Sequence, residues 1–68
     1  PTGGKTVTYA HPDGRTVSVS IRRDRHLEST FIVRVGDDEQ RWRTSMNALR
    51  FYNAARRALE ADGFTEAR

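Results

Sequence analysis

Apolar residues alternate with polar ones through the first two thirds of this chain and recur every three to four positions in the last third. In Lys5–Ala10, Val7 and Tyr9 share one side of an extended chain and Thr6 and Thr8 the other, the period-two signature of a half-buried strand. Arg15 to Ile21 repeats it with Val17, Val19 and Ile21, and Ser29 to Val35 with Phe31, Val33 and Val35. The period then changes. At 100° per residue, Ala48, Phe51, Tyr52, Ala55, Ala58 and Leu59 fall within an arc of about 120°, with Arg50, Asn53, Arg56, Arg57 and Glu60 gathered opposite. This predicts one helix from Thr44 or Ser45 to Asp62, with Ser45 as a fair N-cap. Gly63 suits a left-handed C′ position, and Phe64 then becomes C″ against Leu59, as in a Schellman ending.

The connections set the registers. In His11-Pro12-Asp13-Gly14-Arg15, proline presets the first turn position, aspartate tolerates the second, and glycine takes the left-handed bulge site. Such a three-residue loop pairs Tyr9 with Val17, Val7 with Val19, Thr8 with Ser18 and Thr6 with Ser20. Turn chemistry and apolar face therefore demand the same register. Arg22 to Glu28 has no period and reads as a loop. A two-residue turn at Asp37-Asp38 places Val35 opposite Gln40, Arg34 opposite Arg41, Val33 opposite Trp42 and Phe31 opposite Thr44. The expected fold is α+β: an antiparallel four-stranded meander, ββββα, with one C-terminal helix on one face. One domain spans residues 1–68, with a lead-in at 1–4, sheet at 5–44, helix at 45–62 and tail at 63–68.

That arrangement leaves a second sheet face carrying Thr6, Thr8, Ser18, Ser20, Arg22, Ile32, Arg34, Arg41 and Arg43. Arg34 opposite Arg41 is an unfavourable like-charge pair, which an external anion would relieve. The formal net charge is +3, and Lys5 is the only lysine among twelve cationic residues; the pI is about 10.2. Arginine's planar fork suits phosphate, and serine and threonine hydroxyls suit sugar and phosphate oxygens. The expected nucleic-acid contacts are Arg34, Arg41, Arg43, Arg22, Arg23, Arg25, Ser18, Ser20 and Thr8, with DNA favoured over RNA. An ordinary solvated sheet face is the competing reading.

Other chemistry finds little support. Without cysteine the chain has no disulfide, thiolate nucleophile or cysteine zinc site. His11 and His26 lie far apart without the spacing of metal ligands, and Asp37-Asp38-Glu39 suits a solvated hairpin tip. Gly3-Gly4-Lys5-Thr6 has only the tail of a phosphate loop. No catalytic residue, metal or cofactor is expected. No run approaches a membrane span and no signal peptide is visible, so the expectation is no membrane partner and a cytoplasmic or nucleoid-associated location. The chain opens on Pro1, as a piece of a longer protein would. Leu49 falls off the buried arc beside Arg56. These two mark a possible partner-binding helix surface for a homodimer or another protein. On that alternative the chain is a non-enzymatic interaction or accessory module, of phage or plasmid derivation.

The run Phe31-Ile32-Val33-Arg34-Val35, followed by Arg41-Trp42-Arg43-Thr44 and then Ala48 and Phe51, resembles the amino-terminal arm-binding domain of phage-type tyrosine recombinases. The resemblance covers about a third of the chain. It implies a sheet inserted into the DNA major groove, with Arg34, Arg41 and Arg43 reading bases or phosphates. This chain departs from that family in having four expected strands rather than three and a Ser-Met-Asn helix opening. Four strands and a helix are also similar in topology to half of the whirly or Pur-alpha architecture, which binds single strands and pairs helices between protomers.

Overall fold

A computed structural model describes residues 4–26 and 29–67. Five antiparallel strands and one helix follow in the order β1 (Lys5–Ala10), β2 (Thr16–Arg23), β3 (Phe31–Val35), β4 (Asp38–Trp42), α1 (Ser45–Ala61) and β5 (Thr65–Glu66). The sheet order is β4-β3-β2-β1-β5. The α+β meander capped by a C-terminal helix is thus as the periodicity predicts. The tail adds a fifth strand, pairing Tyr9 with Glu66 and Ala10 with Thr65.

The first hairpin has the expected register throughout, from Ala10–Thr16 to Lys5–Ile21. Gly14 takes φ +97°, and the His11 amide donates to the Arg15 carbonyl at 2.9 Å. The second hairpin differs. Val35 pairs with Asp38, Arg34 with Glu39, Val33 with Gln40, Ile32 with Arg41 and Phe31 with Trp42. The turn is therefore Gly36-Asp37, with φ +60° at Gly36 and no positive φ at any described non-glycine residue. A two-residue hairpin turn needs positive φ at its first central position, which glycine adopts without steric cost. Asp37-Asp38 would have put that demand on an aspartate.

The helix ends are sharply defined. Thr44, rather than Ser45, is the N-cap, its side chain accepting from the Asn47 amide at 3.2 Å. At the far end the Gly63 amide donates to the Glu60 carbonyl at 3.1 Å and the Phe64 amide to the Leu59 carbonyl at 2.9 Å, with Gly63 at φ +98°. Those two bonds are the Schellman motif. A helix of this length extends about 25 Å, enough to carry the chain from the β4 edge past the roughly 19 Å to β5 on the far side.

Tyr9, Val19, Val33, Ala48, Tyr52 and Phe64 form the buried core, with Val7, Val17, Ile21, Phe31, Val35, Trp42, Phe51, Ala55 and Leu59 packed around it. Ala58, expected in the buried arc, is exposed, whereas Arg56, expected on the outer face, is half-buried. Arg56 Nε donates to the hydroxyl of the fully buried Tyr9 at 2.7 Å. The guanidinium also lies 5.6 Å from the Tyr52 ring centre. The hydrogen bond to Tyr9 is the main cause that holds the Arg56 pKa above its ordinary value.

Candidate nucleic-acid interface

The pleat places Thr6, Thr8, Ser18, Ser20, Arg22, Ile32, Arg34, Glu39 and Arg41 on the face away from the helix. The observed register removes the proposed Arg34–Arg41 juxtaposition, because Arg34 lies across from Glu39 and Arg41 from Ile32. Arg34 Nε donates to the Gly36 carbonyl at 3.1 Å. Arg41 is held by acids: 2.7 Å to Asp24 and 3.5 Å to Glu39. Glu39 also comes within 4.0 Å of Arg22. Arg34 and Arg41 therefore do not oppose one another across the strands, and local carboxylates already offset the Arg41 charge.

Asp24 is the residue responsible. Its carboxylate accepts from the His26 amide at 2.8 Å, its own amide donates to the Thr30 carbonyl, and its side chain is only 12% exposed. Arg22 and Arg23, expected in a loop, are instead the last residues of β2. Positions 27 and 28 of the expected loop lie outside the described residues. Ile32, expected to be displayed, is buried at 2% exposure, flanked by Arg22 and Arg41 on the neighbouring strands. Arginine stems have the length to cover such a side chain while leaving the charged heads in water.

The expected contacts divide into two groups. Arg22, Arg23, Arg25, Arg41 and Arg43 come together where β2 and β4 finish, and Lys5 begins β1 at the same end. Thr8 and Ser18 share a hydrogen bond of 3.2 Å two steps along the strands, about 14 Å from the Arg22 level at strand spacing. Ser20 and Arg34 lie between. Arg23 stacks its guanidinium 5.4 Å from the Phe31 ring centre. Arg25 and Arg43 are exposed, with no ion-pair partner among the described residues.

Alternation alone did not reveal that helix α1 also starts at this end, with no acid in its first turn. Its free N–H groups add positive potential. Four acids lie at the opposite end, Asp13 in the first hairpin loop beside Arg15, Asp37 and Asp38 in the second, and Asp62 at the helix C-cap, whereas Asp24 and Glu39 stay with Arg41 and Arg22. Among the described residues, no group of three or more His, Asp or Glu side chains could hold a metal ion. A shallow depression of about 300 Å³ lies on the helix flank, lined by Asn53, Arg56, Arg57 and Glu60. No described helix is long and apolar enough to cross a membrane. Comparison with known family models, curated sequences and solved structures finds no match to this chain.

Proposed function

We propose that this is a non-enzymatic nucleic-acid-binding domain whose phosphate contacts are concentrated at the basic end of its sheet. The observation that carries the reading is the excess of arginine at one end of the sheet. Arg22, Arg23, Arg25, Arg41 and Arg43 gather with Lys5 and the helix start and outnumber the acids paired with them, Asp24 and Glu39, while Asp13, Asp37, Asp38 and Asp62 lie at the other end. A molecule polarised in this way orients its basic end toward a polyanion during encounter. Arg25 and Arg43, without an ion-pair partner among the described residues, offer guanidinium groups for direct phosphate contact, and Arg22 and Arg41 are available in competition with Glu39 and Asp24. The resemblance of the second hairpin to sheet-type DNA-binding domains points to the same ligand class.

The test is a binding titration against salt. Arg25→Ala with Arg43→Ala should weaken binding and reduce the slope of log K on log salt by about 2, roughly 0.9 per lost phosphate contact. Thr8→Ala should leave both unchanged. A double variant with the unaltered slope would place the interface elsewhere.

The second reading is a protein contact through the helix, favoured by the exposure of Met46 and Leu49 at 63% and 43%. Arg56 does not belong to that surface as a free group, because it is engaged with Tyr9. A partner bound there would be insensitive to the Arg25 and Arg43 substitutions.

A further inference from the structure

Resting on the nucleic-acid reading, we infer that the basic end takes duplex DNA through its backbone in preference to single-stranded DNA. The chain has six aromatic residues, and every one serves the core. Tyr9, Tyr52 and Phe64 are buried, and Phe31, Trp42 and Phe51 pack around them on the helix side. Trp42 is stacked on Phe51 with ring centres 5.5 Å apart, and the Phe31 ring carries Arg23. The open face offers hydroxyls, arginines and the carboxylate of Glu39 around the buried Ile32.

Proteins that hold single strands gain much of their affinity by stacking bases on exposed aromatic rings, about 1–3 kcal/mol per base. Among the described residues no Phe, Tyr or Trp is exposed to serve as such a platform. Its affinity must then come from neutralising phosphates and releasing condensed counterions. That gain is larger for the duplex, with a slope of about 0.9 per phosphate against about 0.7 for a single strand. For about four contacts, by Arg22, Arg23, Arg25 and Arg43, the difference amounts to about tenfold in affinity near 50 mM salt and about fourfold near 200 mM.

Fluorescence anisotropy with a labelled duplex of about 20 base pairs and each of its separated strands, at about 50 and 200 mM salt, tests this. The expected result is tighter duplex binding by those factors, with duplex affinity falling about a hundredfold between the two salt concentrations. Equal or tighter binding to the single strands would overturn the duplex preference and leave the nucleic-acid reading standing. Absence of binding to either form at the lower salt would overturn both.

Discussion

Asp13 takes two bonds from one neighbour: the Arg15 amide donates to Oδ1 at 3.0 Å and Arg15 Nε to Oδ2 at 2.7 Å. The backbone bond, first among the causes, holds the Asp13 carboxyl below its ordinary pKa. A depressed folded-state pKa means that the ionised group stabilises the fold above the ordinary aspartate range and loses that effect as pH falls through the folded value. Asp13→Asn should therefore lower the melting temperature at neutral pH, and the deficit should shrink steadily below about pH 4. A deficit constant with pH in thermal melts would show that the turn does not depend on the charge. Trp42 is a contrasting residue. Its indole Nε1 is buried and has no hydrogen-bond partner among the described residues.

At the scale of elements, the helix end and the first hairpin loop form one joint. The His11 ring meets Phe64 edge-on with centroids 5.0 Å apart, and Arg15 lies 5.2 Å from the same ring centre. A Cβ built on Gly63 would come 3.0 Å from His11 Nε2, at a backbone φ of +98°. Gly63→Ala thus carries two penalties, left-handed strain of about 1–2 kcal/mol and displacement of the imidazole. Urea unfolding should show the loss, and it should be smaller in a His11→Ala background, where only the strain remains. Equal losses in both backgrounds would show that the ring moves aside freely. The glycine, the Schellman geometry and the loop were each legible in the sequence. Their meeting was not, because it joins positions about fifty residues apart.

For the whole molecule, Phe64 connects what the helix has carried across the sheet: it is 4% exposed and immediately precedes β5, which closes on β1. Truncating a buried phenylalanine costs about 3–5 kcal/mol, comparable with the roughly 3–10 kcal/mol total expected for a domain of this size. Phe64→Ala should leave a substantial unfolded fraction at 37 °C by circular dichroism; a fully folded variant would assign the tail a minor role. The charge polarity also belongs to this scale. Arg22 and Arg23 are close in sequence to Arg25, but Arg41 and Arg43 join them only because adjacent antiparallel strands bring the end of β4 beside the end of β2 across β3.

The sequence by itself determined the fold class, the first hairpin register and the helix ending, because period, proline and glycine act locally and each admits few alternatives. It did not determine the second register. A slip of two residues keeps every side chain on its own face, so alternation could not distinguish Asp37-Asp38 from Gly36-Asp37. Only the tertiary structure decided that Arg34 faces Glu39, that Asp24 holds Arg41 and that Arg56 turns inward to Tyr9. These are pairings between distant parts of the chain, set by which strands lie side by side and by a buried hydroxyl that needs a partner.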